Sequence, residues 1–542
     1  MKVYRKRNIL SALSINSLLL SLPVTSCLAF QPRQNLAFPR HAKVEQFQEH
    51  SLTTISKSKV SHLKSSISDI PSGGAKAPPP QPSLNDLVKF ALPCLALWIA
   101  SPLLSLVDTA AVGLTAKAGQ GAVELGALGP ATTFIDGSQY LFAFLNVATT
   151  NLYASALAKN AGNTEESKRA GDAVVRTAIK ISLFCGVGIM ALLFTKGKFL
   201  LSIYAGEASK LILEPATKYV HIRALSMPTS LLSGVLQAAL LGSKDSVTPL
   251  IAVIASTIVN VFGDGALVVW LGMGSAGAAI ATLAAQWAGT ICMIPAARRK
   301  LLVKSSPEQR MKHKVSSRSF LGFAAPVVTL ILGKLAAFGM MTHVAAALPG
   351  EAALASHQIV LSLFFFISPF LEVLSQTAQT FLPAYAIEQT PQFKIEGRKL
   401  AARLLRLGMI AGLIIATIAA SIPYLFPMIL TNDALIQSSV RPLALPLLLG
   451  GLLTAPVAIS EGVLLARREL KYLASVYVFS TIAFPFGLFK LKTSGGPVSN
   501  VWYGFVLFQM FRALCFTGKI WGREVLGKIV PSNHLKTEHS TA

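Results

Sequence analysis

Asp108, Asn260, Asp264 and Thr282 stand inside long apolar stretches of the sequence. Asn260 precedes Asp264 by four residues, so on a helix both project from one face. Two carboxyls, an amide and a hydroxyl are oxygen donors suited to a hard cation. Two neighbouring carboxyls also hold a proton well, because each disfavours the other's charge. The same groups could instead satisfy one another as polar contacts between helices. An ionisable residue within a membrane span costs about 2.5–3.5 kcal/mol on insertion scales, which makes such a residue a functional candidate by default.

The second half carries a different set. Lys334 and His343 fall in one apolar stretch, His357, Glu372, Gln376 and Gln379 in the next, and Glu461 further on. Lys334, Glu372, Gln376 and Glu461 are candidates for lining a substrate pathway. Lys334 and Glu372 could equally neutralise each other as a buried ion pair. His357 is expected near the outer end of its helix, satisfied by backbone or water. Pro93 and Pro102 precede Asp108 and would kink its helix, freeing carbonyls that neighbours must satisfy. No catalytic residue is identified. The five cysteines lack metal or disulfide spacing, so no cofactor is expected, and the only metal considered is Na+ at the Asp108 site.

These residues need elements that cross a bilayer. Of the 542 residues 52% are hydrophobic and 13% charged, about half the usual charged share of ~25%. That balance excludes a soluble enzyme. The net charge of +25 is spread over the loops between apolar runs, the pattern of topology-setting charge rather than of a nucleic-acid surface. A span takes about 20 apolar residues, which places twelve, near 89–113, 130–156, 172–195, 218–242, 248–271, 275–297, 320–346, 352–385, 400–430, 440–466, 472–490 and 499–522. With the mature N-terminus inside, inner loops carry 21 Lys/Arg and outer loops nine, Arg223 and Arg441 counted among the outer ones. This excess supports both ends on the inner side. At 1.5 Å per residue, Asp108 lies ~7 Å below the outer end of its span, Asp264 and Thr282 ~10 Å and Asn260 ~16 Å.

The halves repeat. Residues 236–245 align with 460–469 at an offset of 224, and Pro93 and Pro326 open corresponding helices. Six-span repeats of one orientation are a transporter architecture. The offset puts Phe484 and Leu488 where Asn260 and Asp264 stand, and the first-span repeat puts Met341 opposite Asp108. The fold expected is therefore all-α and polytopic, with lobes over 84–297 and 320–525, a connecting loop over 298–319 and a tail over 526–542. A monomer is expected.

Before the spans, Lys2, Arg5, Lys6 and Arg7 precede an apolar stretch ending at Val24, and Ala29 offers a cleavage point, so 1–29 reads as a signal peptide. Residues 30–83 are basic, Ser-rich and end in a proline-rich run, a transit segment and linker too polar to fold alone. Together they resemble the two-part plastid leaders of algae such as diatoms. A secretory-pathway membrane is the alternative location.

The string PLLSLVDTAAVG over 102–113, the Asn260-x-x-x-Asp264 pair and GAAIAT over 277–282 resemble the multidrug and toxic compound extrusion (MATE) family. ALASHQ over 353–358, LSQTAQTFLP over 374–383 and Lys334 resemble its plastid plant branch, close to bacterial DinF-like members. The similarity covers about residues 84–525. It implies a V-shaped antiporter of two six-helix lobes that exchanges an organic solute, a xenobiotic or a metabolite, against H+ or Na+. It also implies a first-lobe cation site at Asp108, Asn260, Asp264 and Thr282, with ion binding bending the first span. The plastid branch includes carriers of organic anions, which Lys334 would guide. The family's usual Gly-Asp-Thr after the fourth span reads Ser243-Lys244-Asp245-Ser246 here. Alternatives are a lipid-linked precursor flippase of the same superfamily, which would need a broad cationic cavity, and a membrane-embedded prenyltransferase, which would need a second Asp-rich motif. A non-transporting receptor or scaffold would have no need of Asp108.

Overall fold

The computed structural model describes residues 77–529 apart from 116–120, 160–162, 206–209, 304–305, 307–312, 314, 349–350, 389 and 495. The expected signal peptide and most of the transit segment lie outside the described residues. In a bilayer every backbone N–H and C=O must be satisfied within the element, so long apolar runs become helices. The first half forms α1 (Leu84–Thr115), α2 (Gly121–Tyr140), α3 (Ala143–Lys159), α4 (Thr164–Ala205), α5 (Lys210–Ala224), α6 (Met227–Gly242), α7 (Val247–Asp264) and α8 (Gly274–Leu301). The second forms α9 (Ser317–Ala347), α10 (Glu351–Phe381), α11 (Pro391–Leu425), α12 (Ala434–Val440), α13 (Ala444–Ala466), α14 (Leu470–Ser494) and α15 (Ser499–Ile529).

Ten segments among the described residues are long and apolar enough to cross a membrane, the pairs α2–α3 and α12–α13 each counting as one. The bent pair α5–α6, angled by 51°, makes eleven, and the 32-residue α1 completes the expected twelve. This is a multi-pass membrane protein.

Core packing separates the two ends of the molecule. At the end where α1 begins, one continuous apolar cluster draws on both halves, with Leu87, Phe90 and Tyr153 joined to Phe381, Tyr385 and Leu400. At the other end there are two clusters, one holding Val112, Ile135 and Tyr219 and one holding Met341, Phe364, Trp502 and Phe505. The two halves thus share one core at the end where α1 begins and have separate cores at the other. Large side chains such as Phe184, Trp270 and Phe486 are more than 70% exposed, as suits surfaces solvated by lipid.

The shared core has a strap. Residues 77–83 lead into α1 of the first lobe yet bond to the second. Tyr385 Oη donates to Pro80 O at 2.9 Å, Arg403 Nη1 to Pro82 O at 2.7 Å, and Gln81 Nε2 to Glu396 O and Oε2 at 2.8 and 2.9 Å. Prolines lack an N–H and favour an extended chain, so the strap presents carbonyls, and the second lobe supplies donors to them.

Candidate functional site

Three helices bring the four predicted first-lobe residues together. Asp108 comes from α1, Asn260 and Asp264 from α7, and Thr282 from α8. Thr282 Oγ1 lies 3.1 Å from Asp108 Oδ2 and 2.8 Å from Ala278 O, so its single proton can serve either. Asn260 and Asp264 lie on α7, which packs against both α1 and α8. All three are buried, Asn260 completely. Asp108 Oδ1, both Asp264 oxygens and both polar atoms of Asn260 have no protein partner. Buried polar atoms are almost always paired, because desolvating one without a partner costs ~1–3 kcal/mol. Four oxygens and one amide nitrogen without a protein partner thus meet at one point.

Local backbone helps. Directly after Asp264 the chain passes into a π-helical turn, Gly265–Trp270, a deviation that frequently marks functional sites. Close packing of α7 on α8 relies on Gly263, where a Cβ would come within 2.8 Å of Ala281 Cβ. Helix α1 runs unbroken through Pro93 and Pro102.

Two ionisable residues, Asp136 and Arg223, stand beside this cluster. Asp136, on α2, projects into the space between the lobes with its side chain 56% exposed, 3.6 Å from Arg223 Nη2 on α5. Arg223, expected among the outer-loop charges, is instead buried in the last turn of α5, 4% exposed.

The second lobe holds a chain of polar contacts across five helices. Lys334 Nζ lies 3.3 Å from Glu461 Oε1 and 3.8 Å from Glu372 Oε1. Glu461 Oε2 accepts from Tyr477 Oη at 2.6 Å, and that oxygen accepts from Arg512 Nη1 at 2.8 Å. Arg512 also donates to Gln509, whose Nε2 donates to Thr454 Oγ1 at 2.8 Å. Lys334 and Glu372 therefore pair and line the cavity at once, and Glu461 belongs with them. Gln376 lines the same cavity of about 480 Å³ between the lobes. Gln379 lines it too, and its Oε1 accepts from Asn151 Nδ2 of the first half at 3.1 Å. A second recess of about 350 Å³ joins this network to Phe338, Phe364 and Phe365. His357 is fully buried; its Nε2 meets Thr342 Oγ1 at 3.0 Å, while Nδ1 has no protein partner. At the positions equivalent to the first-lobe cluster, Met341, Phe484 and Leu488 are buried in the apolar outer core.

A family model described as MatE matches residues 93–264, the stretch from Pro93 through Asp264. Protein DETOXIFICATION 47, chloroplastic, of Arabidopsis thaliana is 34% identical over 433 residues, covering 79% of this chain and 76% of its own. The chain belongs to the MATE family. DNA damage-inducible protein F of Escherichia coli K12 is 32% identical over 226 residues, 41% of this chain and 46% of that one. Among solved structures, one titled as MATE in the straight conformation matches with a TM-score of 0.67 at 18% identity, covering 82% of this chain and 96% of that one. As a MATE protein the chain is a transporter and not an enzyme.

In this MATE protein the sequence reading missed Asp136, Arg223, Tyr477, Gln509 and Arg512 as site residues. The signal was present for three of them. Asp136, Arg223 and Arg512 are ionisable residues within apolar stretches, the same criterion that singled out Asp108.

Proposed function

We propose that this protein is a secondary active transporter that exchanges an organic solute against H+ or Na+ across a plastid membrane. The observation that carries the coupling is the convergence of Asp108, Asn260, Asp264 and Thr282 with five unpartnered buried polar atoms. Carboxylate, amide and hydroxyl oxygens fit Na+, and two adjoining carboxyls fit a proton. Cation binding there draws α1, α7 and α8 together. The first lobe then repacks, with α1 bending at Pro93 and Pro102, and the solute is released through differential affinity for the two states.

The solute occupies the cavity between the lobes, in contact with Lys334, Glu372, Gln376 and Glu461. Lys334 is compensated by two carboxylates. It offers little net charge to an anion, and the broad cationic surface that a lipid-linked flippase requires is not formed around it. The plastid location draws on the sequence of 1–83 and on relatives named chloroplastic. It joins a leader over 1–29, a transit segment over 30–83 and lobes over 84–297 and 320–525.

The test is solute accumulation in proteoliposomes under an imposed pH or sodium gradient. Asp108→Asn is expected to abolish gradient-driven exchange. Intact gradient-driven transport in that variant would overturn the coupling assignment.

A further inference from the structure

Resting on the exchanger reading above, we propose that the solute is uncharged and rich in hydroxyl groups, a sugar or polyol, and that a belt of carboxamides in the cavity between the halves selects it.

Five of the side chains that line this cavity are carboxamides: Gln139 from α2, Asn146 from α3, Gln237 from α6, and Gln376 and Gln379 from α10. Both halves contribute. A carboxamide both donates and accepts hydrogen bonds and carries no charge, so such a belt replaces water around a solute that brings hydroxyls of its own. The belt is short of partners. Gln139 and Gln376 each keep an amide nitrogen buried without one, whereas buried polar atoms are nearly always paired. A half-turn of either amide exchanges nitrogen for oxygen at almost no change in shape, which lets it offer a donor or an acceptor as the solute requires. The backbone makes room for the belt at Gly234, three residues before Gln237, where a Cβ would come within 2.7 Å of Asn146 Oδ1.

The charges around the cavity cancel. Lys334 meets Glu461 at 3.3 Å and Glu372 at 3.8 Å, and Asp136 meets Arg223 at 3.6 Å. Arg512 reaches Glu461 through the Tyr477 hydroxyl. Three cations thus answer three carboxylates. An ion entering from water would lose its hydration and find no free counter-charge to offset the loss. A neutral polyol instead exchanges hydrogen bonds with water for hydrogen bonds with amides. Two rings complete the site: Trp98 and Tyr140 line the same cavity and are 39% and 47% exposed. Their faces are electron-rich, which suits the weakly positive C–H face of a sugar ring.

The experiment is counterflow of radiolabelled glucose, sorbitol and sucrose into proteoliposomes preloaded with the same solute, with benzoate and tetraethylammonium as anionic and cationic probes. Counterflow needs no ion gradient, so it reads the solute site apart from the coupling. At least one of the three neutral solutes is expected to exchange about tenfold faster than either ion. Gln139→Leu and Gln376→Leu are each expected to raise its half-saturation concentration about tenfold, the worth of one net hydrogen bond. At least one monodeoxy analogue of that solute should lose the same factor in the natural protein and nothing further in Gln376→Leu, a match that a merely structural glutamine would not give. If Gln376→Leu does not fold, Gln139→Leu, from the other half, decides the matter with the same analogues. Counterflow of either ion that equals that of the neutral solutes, no counterflow of any of the three, or half-saturation unmoved in the leucine variants overturns the inference. In parallel, radioactive sodium binding and proton release on an alkaline jump are measured on the purified protein. Loss of both in Asp108→Asn without counterflow of a neutral solute sinks only the polyol inference; binding and release that survive Asp108→Asn sink the exchanger reading itself.

Discussion

Lys244 and Arg468, 224 positions apart, adopt the same left-handed backbone conformation, with φ of 67° and 58°. Their surroundings repeat bond for bond. Lys244 N donates to Leu241 O and Asp245 N to Leu240 O; Arg468 N donates to Leu465 O and Glu469 N to Leu464 O. Both are helix C-terminal closures in which the residue with positive φ is normally glycine. The lobes therefore share a backbone device as well as an alignment, and each fills it with a basic side chain at the inner end.

A side chain in this conformation costs about 1–2 kcal/mol, of which glycine's extra freedom when unfolded returns a part. Arg468→Gly is expected to raise stability by about 0.5–1 kcal/mol. Lys244→Gly should gain less, because the Lys244 ammonium sits 4.8 Å above the Phe381 ring of the other lobe, a contact of about 0.5–1 kcal/mol at an accessible site. Thermal unfolding of both variants in one detergent checks this. Equal gains would mean that the contact with Phe381 contributes nothing.

The Asp245–Lys300 pair is expected to make stability depend on acid. Burial works against the Asp245 carboxylate, but hydrogen bonds from Lys300 and Thr248 outweigh it and hold the acid below its usual value of 3.8. A depressed carboxylate stabilises the fold fully above about pH 4 and loses that contribution as pH falls through the folded-state value. Unfolding temperatures of the natural protein and Asp245→Asn should differ at pH 6 and converge toward pH 3. A gap that stays constant over that range would show that the carboxylate's charge is irrelevant.

The strap over the shared core should restrain opening toward the inner side. Arg403→Ala and Tyr385→Phe each remove one donor to a strap carbonyl, so each should increase labelling of inner-end cysteines such as Phe90→Cys. Joining positions 81 and 396, whose side chains are hydrogen-bonded, through a cysteine pair and a short bifunctional reagent should arrest turnover. Normal transport by the cross-linked protein would mean that the strap does not restrain the motion of the two halves.

Much of this architecture is legible in the sequence alone. Span number, lobe repeat and the Asp108 cluster follow from the spacing of apolar runs and from the cost of burying charge, both local properties of sequence. Arg223 was misread because the 51° bend between α5 and α6 carries an outer-end residue back into the bundle, and a depth ruler assumes straight helices. The role of Glu461 depended on which partner it meets. Lys334 and Glu461 are 127 positions apart, and helix packing rather than spacing decides that they touch. The strap was hidden for a related reason, since a proline-rich segment shows no periodicity and becomes ordered only where another element offers it donors.

The Lys334 cluster yields the last prediction through its unequal distances. At 3.3 Å from Glu461 and 3.8 Å from Glu372, Lys334 is more firmly tied to the former, whose carboxyl is 10% exposed against 32%. Removing the lysine alone leaves a buried carboxylate without its counter-charge, a change that costs 3–5 kcal/mol in a fully buried pair. Here the lysine is about a third exposed, so Lys334→Met is expected to cost about 1–3 kcal/mol after allowance for screening. Adding Glu461→Gln should recover part of this loss, with a coupling of about 1–2 kcal/mol, whereas Glu372→Gln should couple by less than about 1 kcal/mol. Double-mutant cycles on thermal or denaturant unfolding in detergent measure both values. If Glu372 couples more strongly than Glu461, the lysine's principal partner is the cavity-facing carboxylate, and the chain through Tyr477 to Arg512 is not what anchors it.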